Sequence, residues 1–165
     1  MAASVAAAAA ALRATDVGGL SVTTSFTITV IDSGNGKGNI VGGDGNDYLA
    51  GGNGKDNIFG DAGNGYLAGG NGADTLRGGL GNYILNGGLA NDVFVLAAGE
   101  GTDTIQDFVN SNDKIGLANG LTYQQLMFSQ EGDRVKISLT STGEVLAYLN
   151  NFTLNLLDLN DFVLA

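Results

Sequence analysis

Four aspartates, Asp47, Asp56, Asp74 and Asp92, stand at multiples of nine residues from one another, each after a glycine-rich stretch. Short carboxylates set among glycine turns offer a donor set made only of oxygen: side-chain carboxylates and the carbonyls of the turn backbone. Calcium takes about 6–8 oxygen ligands and accepts irregular geometry, so this is chemistry it suits. The chain has no Cys and no His. That removes disulfides, thiolate chemistry, Cys-based zinc sites and the commonest catalytic base.

The aspartates sit in a repeat of period nine that runs without insertion through residues 33–95. In register the copies read SGNGKGNIV, GGDGNDYLA, GGNGKDNIF, GDAGNGYLA, GGNGADTLR, GGLGNYILN and GGLANDVFV. The copies at Gly42, Gly51 and Gly69 fit G-G-x-G-x-D-x-U-x throughout, where U is a large apolar residue. Glycines at positions 1, 2 and 4 allow a turn with positive φ and close backbone approach. Position 8 is always apolar: Ile40, Leu49, Ile58, Leu67, Leu76, Leu85 and Phe94. A short strand at positions 7–9 points that residue inward and its neighbours outward. The plain alternative, a Gly/Asn-rich flexible linker, leaves the unbroken position 8 and the fixed Asp spacing without a reason.

These residues resemble the RTX family of haemolysin-type calcium-binding repeats. The resemblance implies an all-β fold, a parallel β-roll in which two nonapeptides make one turn and residues 18 apart stack. It also implies calcium held between stacked loops by carboxylates of adjacent turns. One column then carries Gly38, Asp56, Asp74 and Asp92 at position 6, and the other Asp47, Gly65 and Tyr83. Asp56–Asp74 and Asp74–Asp92 are two well-formed candidate sites, with carbonyls from Gly52, Gly54, Gly70 and Gly72. Asp47 faces Gly65, so loading is expected to be asymmetric. Asn35, Asn53 and Asn71 align in one column and Asn46, Asn64 and Asn82 in the other, as ladders of stacked amides. Tyr48 and Tyr66 stack as packing.

The net charge of −10 and pI near 4.1 disfavour nucleic acid and anionic lipid and favour cations. The absence of proline suits strands that stack without gaps. The organisation expected is an Ala-rich leader at 1–14, helical or disordered; a β-strand segment at 15–32; a calcium-binding roll at 33–106; and a capping region at 107–165. The leader is too short and Ala-rich to span a membrane. In 15–32 a turn at Gly18–Gly19 precedes a strand with Val22, Thr24, Phe26, Ile28 and Val30 alternating. That segment resembles the last strand of a cadherin-like or immunoglobulin-like module, and reads as a remnant of one or as a strand on the roll's edge.

After Leu96 and Ala97 shift the register by two, AGEGTDTIQ (98–106) reads as an eighth copy with Asp103 at position 6. DTIQDF resembles the family's exit from the roll, making Asp103 and then Asp107 further candidate ligands. Beyond it, a turn at Asn112–Lys114 precedes Ile115–Leu117, a short helix is expected at Thr122–Phe128, and a hairpin joins Val135–Leu139 to Val145–Leu149. Such a cap shields the roll's last strand edges. The final Asp161-Phe162-Val163-Leu164-Ala165 resembles the uncleaved signal of type I secretion substrates, and also fits a final strand of the cap. The function expected is calcium binding that couples folding of a secreted bacterial roll to extracellular calcium, with no enzymatic activity. The partners expected are calcium and the type I secretion machinery, with no nucleic acid and no membrane insertion. The alternative is a surface adhesin or polysaccharide-binding module using the roll as a scaffold. Thr75 is the lone threonine of the repeats, so a regular ice-binding threonine array is excluded.

Overall fold

The computed structural model describes residues 36–165 in full and the backbone of Arg13–Thr15, Ser21–Thr23 and Thr29–Ile31. It is a parallel β-roll closed by a cap. Among the described residues one sheet has six strands: β4 (Asn39–Asp44), β6 (Asn57–Ala62), β8 (Thr75–Leu80), β10 (Val93–Leu96), β12 (Lys114–Leu117) and β16 (Phe162–Leu164). The other has eight. From the roll come β3 (Thr29–Ile31), β5 (Tyr48–Asn53), β7 (Gly65–Asn71), β9 (Tyr83–Leu89) and β11 (Asp103–Ile105). From the cap come β15 (Val145–Leu149), β14 (Arg134–Leu139) and β13 (Leu126–Glu131).

Successive strands of one sheet are 18 residues apart and parallel: Ile40 pairs Ile58, Ile58 pairs Leu76, and Leu49 pairs Leu67. The inward side chains are the position-8 residues, with Leu49, Ile58, Leu67, Leu76, Leu85 and Phe94 fully buried. The strands are longer than expected. Most run through positions 7–9 and on into positions 1–3 of the next copy, leaving only positions 4–6 to turn the corner. Position 1 therefore also faces inward, which a strand confined to positions 7–9 did not anticipate.

The two-residue shift at Leu96–Ala97 is absorbed without losing the stack. Leu96 extends β10 beside Leu117, and Ile105 of the eighth copy lands on Leu85. Phe108 then carries the core into the cap, its ring 6.2 Å from Phe94 and 5.3 Å from Phe152. The hairpin of β14 and β15 is as expected, and β15 adds parallel to β11, covering the roll's last edge. The short helix expected at Thr122–Phe128 is corrected. A single 3-10 turn at Tyr123–Gln125, held by a Thr122–Gln125 capping box, gives way to β13. Met127 and Phe128 find ladder partners in Ser138 and Ile137, and that nonlocal pairing overrides a local helix. The chain's last residues form β16, parallel to β12.

Ahead of the roll, the expected single strand Val22–Val30 divides. Val22 lies in β2 (Ser21–Thr23), antiparallel to β1 (Arg13–Thr15), whereas Val30 pairs in register with Leu49 on the roll's edge. Arg13 and Ala14 are thus extended, not helical, because Thr23 and Val22 supply their ladder partners. Residues 1–12, 16–20, 24–28 and 32–35, with the Gly18–Gly19 turn and Asn35 among them, lie outside the described residues.

Candidate metal centre

Each strand of the six-stranded sheet from β6 to β12 is entered through an aspartate: Asp56, Asp74, Asp92 and, unanticipated, Asp113. They form a continuous column. Gly38 N donates to Asp56 Oδ1 (2.6 Å), Asp56 N to Asp74 Oδ1 (2.7 Å), Asp74 N to Asp92 Oδ1 (2.8 Å) and Asp92 N to Asp113 Oδ1 (2.9 Å). One oxygen of each carboxylate thus pins the turn before it. All four residues are at most 3 % exposed.

The second oxygen faces the position-1 glycine of its own copy. A methyl added at Gly51 would come within 2.6 Å of Asp56 Oδ2 and 2.7 Å of the Gly69 carbonyl. One at Gly69 would meet Asp74 Oδ2 and lie 2.5 Å from the Gly87 carbonyl. Both of these gaps therefore bring together a carboxylate oxygen and a carbonyl of the following turn, and only glycine leaves room for both. Asp74 Oδ2 is buried with no hydrogen bond among the described residues. Burial pushes the Asp92 carboxyl up to about 7 and raises those of Asp74 and Asp113. A buried row of like charges is unfavourable unless a counter-charge accompanies it. Donors made wholly of hard oxygen, an orphaned carboxylate oxygen and a cradle that a methyl would fill fit calcium. Among the described residues no three acidic side chains converge, so most oxygens for an ion here would come from the backbone.

The second column is built differently. Asp47 is buried, and a methyl at Gly42 would lie 2.5 Å from its Oδ2 and 2.8 Å from the Gly60 carbonyl, as in the first column. Above it stands Gly65, then Tyr83, whose amide donates to Asp103 Oδ1 (3.0 Å). Asp103 therefore stacks at position 6 despite its shifted copy, and burial pushes its carboxyl up to about 7.

Asp107 stands outside both columns. Its two oxygens accept the Gly87 and Gly88 amides (2.9 and 2.8 Å). Asp113 is similarly satisfied, taking Asp92 N at one oxygen and Val109 N (2.8 Å) at the other. These two carboxylates hold backbone where the columns end. The Gly52 and Gly54 carbonyls lie against the backbone of Gly70 and Gly72 one turn on, and the Gly70 carbonyl against Gly88. The carbonyls that accompany Asp56 and Asp74 Oδ2 are instead those of Gly69 and Gly87.

Polar ladders flank the columns. Asn71 donates to Asn53 Oδ1 (2.7 Å), while Asn46 and Asn64 accept backbone amides of Asn64 and Asn82 (2.9 and 2.8 Å). Asn39 and Asn57 add an amide pair that the sequence reading passed over. The Tyr48 and Tyr66 rings stack 5.2 Å apart.

Among solved structures, the chain is similar to the AlgE6R2 subunit of the Azotobacter vinelandii mannuronan C5-epimerase. The two are 28 % identical with a TM-score of 0.59, covering 76 % of this chain and 92 % of that one. Further matches are the extracellular lipase LipA of Serratia marcescens (17 % identity, TM-score 0.44, 91 % of this chain and 42 % of that one) and the AlgE6R3 subunit of the same epimerase (25 %, 0.36, 81 % of each). Comparison with curated proteins gives no match. The family model for the peptidase M10 serralysin C-terminal region matches residues 7–160, so the segment ahead of the roll lies inside the match. With its roll of glycine–aspartate nonapeptides and its β-rich cap, the chain belongs to the serralysin C-terminal family.

Proposed function

We propose that this chain binds calcium between the stacked loops that carry Asp56, Asp74 and Asp92, and that binding and folding of the roll are one event. The observation that carries this reading is the column itself. Its buried carboxylates each spend one oxygen on the preceding turn and aim the other at a glycine cradle, which at Asp56 and Asp74 is also lined by a following carbonyl. Asp56 and Asp74 with the Gly69 carbonyl would hold one ion, and Asp74 and Asp92 with the Gly87 carbonyl another. A bound divalent cation supplies the counter-charge that lets these carboxylates stay ionised when buried. The protein's part is to fix the loops one strand spacing apart and exclude water from the gap.

Without calcium the roll offers one large apolar side chain per nine residues against the ordering of many glycines, and it adds a row of like charges. Ligand binding to the folded state alone then drives folding. Extracellular sites of this kind bind at about 10⁻⁴ to 10⁻³ M. The chain accordingly stays unfolded in calcium-poor bacterial cytosol, leaves by type I secretion, and folds outside around its cap. It is a folding module and not an enzyme: its carboxylates with strongly raised pKa, Asp92 and Asp103, lie in the ladders that hold the turns.

Far-UV circular dichroism of the full chain, moved from EDTA into rising calcium, tests this. The expected result is a cooperative gain of β signal that magnesium does not reproduce. A chain already fully folded in EDTA, or folded equally by magnesium, contradicts it.

A further inference from the structure

The two columns of loops part company at one side chain. In the carboxylate column the space under each position-1 glycine holds the aspartate of the same copy. In the other column, the space under Gly60 holds a ring taken from the next turn. A methyl at Gly60 would strike Cε1 of Tyr83 and lie 2.5 Å from its Cζ, and a methyl at Gly65 would lie 2.8 Å from Cε1. Tyr83 is itself a position-6 residue, paired with Gly65 in the ladder. Its ring therefore runs back along the roll into the place that a carboxylate at position 65 would occupy.

The substitution is passed on by one more turn. The space under Gly78, which a position-6 aspartate at 83 would fill, is lined by Asp103, whose two oxygens would lie 2.8 and 2.9 Å from a methyl there. Tyr83 is 1 % exposed, and its hydroxyl has no hydrogen bond among the described residues. The ring is enclosed by the loops and not laid over them.

We propose that Tyr83 is a built-in substitute for a cation: its neutral ring fills the gap between the loops at Gly60 and Gly78, so this column packs without an ion and calcium loads only the column of Asp56, Asp74 and Asp92. The inference rests on the calcium reading above. A phenol brings apolar volume and no ionised charge where the other column brings carboxylates. The middle of this column therefore needs no counter-charge to stack. The roll is divided into a calcium-dependent side and a calcium-independent side, which share one apolar core.

Equilibrium dialysis against calcium, with the full chain confirmed as folded by circular dichroism at saturating calcium, tests the assignment. Tyr83→Asp removes the ring and sets a carboxylate directly below Asp103, recreating the pairing of Asp56 with Asp74. It is expected to take up roughly one further calcium ion per chain. Tyr83→Phe keeps the ring and is expected to leave the count unchanged. Asp47→Asn, which leaves Tyr83 in place, is likewise expected to leave it unchanged, and it serves if Tyr83→Asp does not fold. An unchanged count in folded Tyr83→Asp, a raised count in Tyr83→Phe, or a lowered count in Asp47→Asn overturns the inference. No uptake by the parent chain sinks the calcium reading and this inference with it.

Discussion

The loops entering the six-stranded sheet and those entering the eight-stranded sheet share one backbone plan and one apolar ladder, yet they solve the problem of position 6 in opposite ways. On the first side Asp56, Asp74 and Asp92 are stacked, buried and linked oxygen to amide. On the second, Gly65 and Tyr83 interrupt the carboxylates and a ring fills the gap. The position-8 residues are equally buried on both sides. The comparison separates two jobs. Position 8 and the strand ladder specify the roll, and position 6 specifies whether a corner stacks carboxylates or encloses a neutral ring.

The sharpest way to break the comparison is to fill one cradle on each side. Gly51→Ala places its methyl 2.6 Å from Asp56 Oδ2 and 2.7 Å from the Gly69 carbonyl. It is expected to cost about 1–3 kcal/mol of overpacking and to lower calcium uptake. Gly60→Ala presses on the Tyr83 ring and, at 2.6 Å, on the Gly78 carbonyl. It should destabilise the fold comparably with uptake unchanged, as read by thermal melts and dialysis on both variants.

The pH dependence without metal is the next largest effect. In the folded chain Asp92 and Asp103 are held at about 7, above the ordinary carboxylate value of 3.8. Between those values the folded state binds more protons than the unfolded state, so stability falls as pH rises. Their favourable contribution is complete below the ordinary carboxylate pKa and lost as pH passes about 7. In EDTA far-UV circular dichroism should therefore show more β signal at mildly acidic than at mildly alkaline pH. Saturating calcium, which needs Asp92 ionised, should flatten or invert the trend. A β signal in EDTA that climbs with pH over this range would contradict the burial argument.

Smaller effects are expected where carboxylates only hold backbone. Asp113→Asn and Asp107→Asn each weaken hydrogen bonds to main-chain amides. Each should cost about 1–3 kcal/mol while the calcium midpoint follows only the loss of stability. The smallest effect belongs to Arg77, whose guanidinium makes a forked ion pair with Glu100 across the corner after β10. With both side chains partly exposed, Arg77→Ala should cost about 0–1 kcal/mol, a shift at the limit of a thermal melt.

Much of this was legible in the sequence because a fixed period ties chemistry to place. The nine-residue register put Asp56, Asp74 and Asp92 in one column and the position-8 residues in the core. It failed where the copies decay. Asp113 occupies position 6 of a copy that has Phe108, Val109 and Ser111 where glycines stand elsewhere. Its remaining signal, an aspartate two residues before Ile115, is the same spacing as Asp103 to Ile105 and Asp92 to Phe94. Leu126–Phe128, the start of the strand Leu126–Glu131, reads locally as the end of a short helix from Thr122, because the strand's partners, Leu139 back to Arg134, lie across a hairpin that local pattern does not reveal. The path of the Tyr83 ring was beyond reach for a different reason. It depends on the space left by Gly65 one turn away, and stacking rules assign a residue its position without its rotamer.

The central claim, that calcium acts through one column of corners, is tested most directly by calcium titrations of Asp74→Asn and Asp47→Asn beside the parent, followed by far-UV circular dichroism. Asp74 borders two gaps of the carboxylate column. Its substitution should move the folding midpoint to at least about tenfold higher calcium, the scale of loss that even an outer-shell partner of a metal produces. Asp47→Asn should fold at nearly the parent midpoint. Equal shifts in the two variants, or a larger shift in Asp47→Asn, would contradict the division of the roll into an ion-bearing and an ion-free side.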